Sequence, residues 1–143
     1  MIHITLVRGI TNSMGTAAAI RAYFEAFNNN DPEAIFALLH PDVAHDINEG
    51  STEVGIQAFR DFKAHMDRCY KEQIVDLQVW EDGTRGASEF KVNGSYIQTD
   101  GDLPAATGQS YSIPAAAFFD VVDGKITRIT SYYNLKAWIA AIS

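Results

Sequence analysis

Proton transfer is the chemistry that the sequence offers most readily, and its candidates lie in the run Val43 to Glu49. Alternation along a strand divides this run into two faces and places Val43, His45 and Ile47 on the more apolar one. A half-buried histidine on that face can gain and lose a proton near neutral pH. His45 is therefore the first candidate base. A core histidine bonded to a backbone group is an equally good interpretation.

A bulge in this strand would exchange the two faces and bring Asp46 and Asn48 to the inside. Asp46 would then be the proton-transfer group and Asn48 a ligand contact. For both residues, a solvated or dimer-facing position at the edge of the sheet is the slightly favoured interpretation. The faces of this strand therefore decide which residue is the catalytic candidate.

Composition limits the kinds of binding partner and the cellular compartment that we predict. The chain has 143 residues, a formal net charge of −7 and one cysteine, Cys69. Its length suits a single domain. The acidic balance, without a cluster of Lys and Arg, argues against nucleic acid or a membrane surface as partner. One cysteine allows no internal disulfide, so we predict a reducing, cytoplasmic setting.

Neither a metal nor a cofactor is predicted. The histidines show no metal-ligand spacing with each other or with a pair of carboxylates, and a single cysteine cannot build a multi-cysteine site. No glycine-rich phosphate-binding loop is present. No apolar run approaches the roughly 20 residues that a membrane-spanning helix needs.

Hydrophobic periodicity predicts helices first and strands afterwards. We predict an arm over residues 1–15, a loop at Ser51 to Gly55, and Asp-Gly hairpin turns in the second half. The predicted helices are 16–28, 32–39, 56–72 and a short one after 134, and the predicted strands are 43–49, 74–81, 85–98, 111–122 and 125–133.

This order of elements predicts an α+β domain in which helices cover one face of a mostly antiparallel sheet. A sheet that curves over a long helix leaves a concave mouth where a ligand pocket can form. Met66 and Tyr70 on the third helix are candidate pocket walls, although core packing explains them equally well.

Three segments resemble the SnoaL-like polyketide cyclases and ketosteroid isomerase-like proteins of the nuclear transport factor two-like superfamily. They are AYFEAFNNNDPEAIFALLHPDV, GSYIQTDGDLPAATGQ and DGKITRITSYYNL. The resemblance implies one domain over residues 16–143: a cone-shaped, curved, mostly antiparallel sheet wrapped around about three helices. It also implies a homodimer. The fold hosts isomerases, cyclases, dehydratases, epoxide hydrolases and non-catalytic binders, so it does not choose among them.

The resemblance also assigns roles to individual residues. Tyr23 matches the tyrosine of the first helix that forms part of the isomerase oxyanion hole. The carboxylate that cyclases carry after the last strand falls on Asn134, and their Gly-Thr-His histidine falls on Tyr96. An amide cannot serve as a general base at neutral pH, but it can hold an oxygen atom. Arg128 stands where the cyclases have a glutamate.

On this basis we predict that Tyr132 faces the pocket beside Asn134 and that Tyr133 faces the other way. An inward Arg128 would suit a ligand with a carboxylate; a surface charge is the commoner case, and a pair with Glu89 is a third possibility. The predicted catalytic residues are His45, Asp46, Tyr23 and Asn134. The predicted ligand contacts are Asn48, Met66, Tyr70, Phe90, Tyr96, Phe118, Arg128 and Tyr132.

Three classes of function follow. The first is cofactor-free proton transfer on a small hydrophobic carbonyl compound, with isomerase, cyclase or hydratase outcomes. His45 or Asp46 would move the proton, while Tyr23, Tyr132 and Asn134 hold the oxygen. The second is a binding module with a pocket but no base. The third is a dimeric interaction domain whose cavity is filled by Trp80, Trp138 or the N-terminal arm.

Overall fold

The computed structural model describes residues 14–143, so most of the predicted arm over residues 1–15 lies outside the described residues. The helices of the described part are α1 (Thr16–Asn28), α2 (Pro32–Ala37), α3 (Ile56–Cys69) and α4 (Leu135–Ile142). Its strands are β1 (Leu39–Ile47), β2 (Thr52–Val54), β3 (Tyr70–Asp82), β4 (Arg85–Tyr96), β5 (Ser110–Val122) and β6 (Lys125–Tyr133).

The helices form where the apolar stripe and the capping residues predict them. On α1, Ala19, Ile20 and Phe24 are buried along one side, as an amphipathic helix requires. The side chain of Asp31 accepts a hydrogen bond from the Ala34 amide at 3.1 Å and caps α2. None of the helices within residues 14–143 has the length and apolar character needed to cross a bilayer.

Six strands form one mixed sheet in the order β2-β1-β6-β5-β4-β3. The pair β1 and β6 is parallel, and the other neighbouring pairs are antiparallel. Asp123 and Gly124 both adopt positive φ in the turn between β5 and β6, as a two-residue hairpin demands. This architecture confirms the predicted α+β class and its curved sheet around helices.

The core lies between the inner face of the sheet and the helices. One cluster joins α1 and α2 to Phe90, Phe119 and Ile129. A second cluster lies where α4 packs and holds Tyr70, Tyr96, Tyr111 and other residues.

Several element boundaries differ from the prediction. The second helix ends at Ala37 rather than residue 39, and β1 begins at Leu39, four residues before the predicted strand. The loop predicted at Ser51 to Gly55 is wrong, because Thr52–Val54 forms β2 against β1. A three-residue strand is too short to show alternation. The third helix ends at Cys69 rather than Glu72, and β3 begins at Tyr70. Tyr70 is buried and fits both the helical stripe and the strand that follows, so periodicity alone did not locate the boundary.

Candidate functional site

A cavity of about 640 Å³ lies between the inner face of the sheet and helices α1, α3 and α4. Its size is typical of small-molecule sites. Its walls are mainly apolar and aromatic, including Phe24, Phe59, Phe62, Met66, Phe90 and Phe119. Trp138 forms part of the wall and does not fill the cavity, while Trp80 is exposed elsewhere.

His45 lies on the inner face of β1 and lines this cavity. It is 6 % exposed, and its ring packs 5.1 Å from Phe59 and 4.8 Å from Phe62, measured between ring centroids. Its buried Nδ1 has no hydrogen-bond partner within residues 14–143. Burial lowers the pKa of His45 to about 4, against the opposing charge of Asp46. The imidazole is therefore neutral at pH 7 and available to a ligand.

Tyr23 lines the same cavity from α1. Its ring meets Phe24 and Phe119 edge to face, with centroids at 5.2 and 5.5 Å. Burial raises the pKa of its hydroxyl, so the group remains an O–H donor at neutral pH. A protonated phenol in a dry cavity can stabilise an oxygen that gains negative charge.

Asp46 lies on the opposite face of β1, because the irregularity of this strand falls before Ala44 and leaves the later alternation intact. Its carboxylate accepts hydrogen bonds from Arg128 at 2.8 and 3.0 Å, from Thr130 at 2.6 Å and from Thr52 at 2.7 Å. The hydrogen bond from Thr130, together with those from Thr52 and Arg128, lowers the pKa of Asp46. Asp46 and Arg128 thus join strands on the outer face and do not reach the cavity.

The predicted faces of Tyr132 and Tyr133 are reversed in the structure. Tyr133 pairs with Ala115 on the inner face of the sheet and contacts Trp138. Tyr132 borders the edge of the cavity, but it is 40 % exposed and its ring packs against Phe118 at 5.9 Å on the outer face. Phe118 does not line the cavity.

The other predicted residues divide between cavity and framework. Met66, Tyr70 and Phe90 line the cavity. Asn48 instead accepts a hydrogen bond from the Tyr133 amide at 2.8 Å and fixes the end of β6. Tyr96 is fully buried outside the cavity, where its hydroxyl donates to the Pro104 carbonyl at 2.7 Å and accepts from the Asp100 amide at 2.8 Å.

Asn134 is exposed and caps α4, with its Oδ1 accepting from the Ala137 amide at 3.0 Å. It is not part of the cavity wall. We expect Asn134→Ala to lower the free energy of unfolding by about 1 kcal/mol through loss of the cap. Asn134→Ser, which keeps a capping oxygen, should lose less. Chemical denaturation measures this difference, and equal losses in the two variants would argue against the capping role.

Two acidic groups of the cavity that accept hydrogen bonds from its tyrosines were missed by the sequence reasoning. Asp100 accepts a hydrogen bond from the Tyr70 hydroxyl at 2.6 Å and lies 2.8 Å from Nε2 of His65. Glu72 accepts from the Tyr111 hydroxyl at 2.5 Å. Starting the strand at Tyr70 would have placed Glu72 on the inner face, in phase with Tyr70 and Ile74.

In the part of the chain that the structure describes, His65, Cys69 and Asp100 are the residues that could hold a metal ion, with ligand atoms within 4.8 Å of one another. Asp100 already bonds to His65 and Tyr70. Burial and the charge of Asp100 raise the pKa of the Cys69 thiol, which disfavours the thiolate that a metal needs. The cluster therefore fits a hydrogen-bonded wall of the cavity better than a metal site.

Comparisons with known proteins place this geometry in a family. Residues 20–129 match the SnoaL-like domain family. A candidate polyketide cyclase from Pseudomonas putida is 44 % identical, with a TM-score of 0.89, 91 % of this chain covered and 99 % of that one. A second from Xanthomonas campestris is 50 % identical, with a TM-score of 0.85 and 87 % and 94 % covered.

A more distant solved structure, TerC crystallised with polyporic acid, shares the fold. It is 22 % identical, with a TM-score of 0.72, 87 % of this chain covered and 95 % of that one. No curated protein matches the chain. Because the family match spans most of the sequence and two relatives are at least 44 % identical, the chain belongs to the family of SnoaL-like domains.

Proposed function

We propose that the protein catalyses cofactor-free proton transfer on a small hydrophobic carbonyl compound bound in the 640 Å³ cavity. The observation that carries this proposal is the neutral, buried His45, whose Nδ1 has no hydrogen-bond partner among residues 14–143 and lies beside an apolar space. Such perturbed, unpartnered groups in a cavity are typical of functional sites.

In the proposed reaction, the His45 imidazole removes a proton from the carbon next to the carbonyl group. The C–H electrons move into the new C=C bond, and the carbonyl oxygen becomes an enolate oxygen that accepts a hydrogen bond from Tyr23. Imidazolium then returns the proton to carbon. Alternatively, the enolate carbon attacks a second carbonyl carbon of the same molecule, the π electrons of that C=O bond move to its oxygen, and the resulting alkoxide takes the proton from imidazolium. The lowered pKa of His45 keeps the imidazole unprotonated at neutral pH; it makes the imidazole a weaker base and its imidazolium a stronger proton donor.

The relatives support this class of chemistry. Two proteins with at least 44 % identity are candidate polyketide cyclases. TerC, which has the same fold, was crystallised with polyporic acid. A cyclase-type or isomerase-type reaction would use the same first step, removal of a proton beside a carbonyl group.

Exchange of carbon-bound hydrogen for solvent deuterium tests the proposal without knowledge of the natural substrate. With β-tetralone in D₂O, followed by proton NMR, we expect the wild-type protein to accelerate exchange beside the carbonyl. His45→Gln should lower the rate by about 10²- to 10⁴-fold. His40→Gln is the matched control, because His40 also lies on β1 but does not line the cavity. Absence of exchange in the wild type, or equal rates in folded His45→Gln, would contradict the proposal.

Non-catalytic binding in the same cavity is the second candidate function. The apolar walls favour it, together with the lack of a carboxylate at Asn134, where the resembling cyclases have one. Non-catalytic binding predicts that β-tetralone quenches tryptophan fluorescence when it binds and that the protein does not accelerate hydrogen exchange. The pair of measurements therefore separates the two functions.

The outer face of the sheet supports the homodimer that the resemblance implies. Trp80 and Tyr132 are 55 % and 40 % exposed, and Phe118 packs beside Tyr132. Apolar side chains grouped on an outer face are a common feature of interfaces.

A further inference from the structure

Glu72 is a carboxyl group inside the cavity that the proposed reaction does not yet use. It lies at the start of β3 on the inner face and lines the cavity wall. Its Oε2 accepts a hydrogen bond from the Tyr111 hydroxyl at 2.5 Å. Among residues 14–143, Tyr111 is its only hydrogen-bond partner, and Oε1 remains available to a bound molecule.

Gly94 makes this pair possible. In the sheet register, Gly94 lies between Glu72 on β3 and Tyr111 on β5. A Cβ atom at Gly94 would overlap the Tyr111 ring, meeting Cε2 and the hydroxyl oxygen at 2.5 Å. The Tyr111 ring therefore crosses the central strand through the space of the missing side chain and reaches Glu72.

The groups around the pair affect the charge on Glu72. Burial raises its pKa, while the Tyr111 hydrogen bond and Lys63 oppose that effect and Asp67 adds to it. Lys63 and Asp67 form an ion pair at 2.6 Å on α3, which limits the net influence of either. Tyr133 also faces Glu72, and its own pKa is raised by burial and by the Glu72 charge.

We propose that Glu72 is a second acid–base residue of the cavity, contacting an oxygen atom of the bound compound through Oε1, with Tyr111 as its positioning residue. Protonated Glu72 donates to a carbonyl oxygen, and ionised Glu72 accepts from a hydroxyl group. The compound therefore carries an oxygen function that faces β3. The inference rests on the proposed function only in requiring that the cavity binds such a compound.

A purely structural pair is the competing explanation, in which Glu72 serves only to accept the hydrogen bond from Tyr111. A glutamine would also serve a structural role, since its amide can accept from Tyr111. Only the proposed role requires a group that titrates.

Binding of β-naphthol at different pH values tests the proposal, because its hydroxyl group donates best to an ionised carboxylate. We expect wild-type affinity to rise with pH through a midpoint above 4.5, the ordinary pKa of the Glu72 carboxyl. Glu72→Gln should remove that midpoint and weaken binding about tenfold at pH 7. Glu89→Gln, an exposed glutamate on β4, is the matched control and should behave as the wild type.

Tyr111→Phe provides a readout that a structural role would not move. The Tyr111 hydrogen bond lowers the pKa of Glu72, so its removal should shift the binding midpoint to higher pH. Gly94→Ala should shift it in the same direction, because the new methyl group displaces the Tyr111 ring. An unchanged midpoint in folded Tyr111→Phe would overturn the positioning role.

The outcomes also separate this inference from the proposed function. If β-tetralone exchange is absent but Glu72→Gln removes the β-naphthol midpoint, the proposed reaction fails and the Glu72 contact stands. If exchange occurs but folded Glu72→Gln keeps the wild-type pH dependence, the Glu72 inference is overturned. Failure of β-naphthol to bind the wild type overturns it as well.

Discussion

Replacing Phe119 by alanine is expected to lower the free energy of unfolding by about 3–5 kcal/mol. Phe119 is 1 % exposed on the inner face of β5 and meets Tyr23 and Phe24 edge to face, with centroids at 5.5 and 5.8 Å. Its removal loses buried apolar area and these aromatic contacts, and it enlarges the cavity that the ring already borders.

Phe118→Ala is the matched control for this prediction. Phe118 adjoins Phe119 in sequence but points to the outer face, where its aromatic contact is Tyr132. We expect this substitution to cost about 1 kcal/mol. Urea denaturation of the two variants measures the difference. Equal losses would mean that the assigned faces of β5, and hence of the cavity, are wrong.

Acidification from pH 6.5 to pH 4 is expected to lower the stability by about 3 kcal/mol through His45 alone. The pKa of His45 is about 4 in the folded protein and about 6.5 when the ring is in water. Between these values the unfolded chain binds a proton that the folded protein does not, so stability falls as the pH falls. The stability that the neutral His45 ring contributes is fully present above pH 6.5 and is lost as the pH falls toward 4.

His45→Gln isolates this contribution, because glutamine does not titrate. We expect the variant to lose less stability than the wild type over this range in urea titrations at several pH values. Asp46, with its pKa lowered, acts at lower pH. Glu72 has the opposite effect on stability. Because its pKa is raised in the folded protein, the folded protein binds a proton more tightly than the unfolded chain, and stability rises as the pH falls. An identical pH dependence in His45→Gln would show that His45 titrates normally.

Local sequence patterns predicted the elements that carry long, regular periodicity. Helix α1 and strand β6 have the predicted bounds, because each has a clear apolar stripe or alternation with a strong stop signal. Strand β2 was not predicted, since its three residues become a strand only through pairing with β1. Pairing of this kind is a tertiary effect that a local pattern does not contain.

Strands β1 and β6 show where simple alternation of side chains predicts the inner face correctly and where it does not. Alternation correctly placed His45 on the inner face, because no irregularity interrupts β1 after Ala44. On β6, Asp120 pairs with Arg128 but Val121 pairs with Ile126, so Thr127 is an extra residue. Simple alternation from Ile126 therefore gives the wrong face for Tyr132, because a shift of one residue reverses every later side chain.

The Glu72–Tyr111 pair required the folded structure. The two residues come from different strands separated by β4, and the resembling segment that begins at Gly94 does not indicate that a ring crosses the sheet there. The cavity thus combines His45 and Tyr23, which the sequence suggested, with a carboxyl group that only the register brings in. The proposed acid–base groups therefore do not depend on Asn134, where the resemblance to cyclases implies a carboxylate.

Titration of the histidine rings by ¹⁵N NMR tests most directly the claim that a neutral, buried His45 serves the cavity. The chain has four histidines, and His45→Gln identifies the signals of His45. We predict that His45 stays neutral down to about pH 4 and that its ring signals shift when β-naphthol is added at pH 7. Titration of His45 near pH 6.5, or ring signals unchanged by saturating β-naphthol, would contradict it.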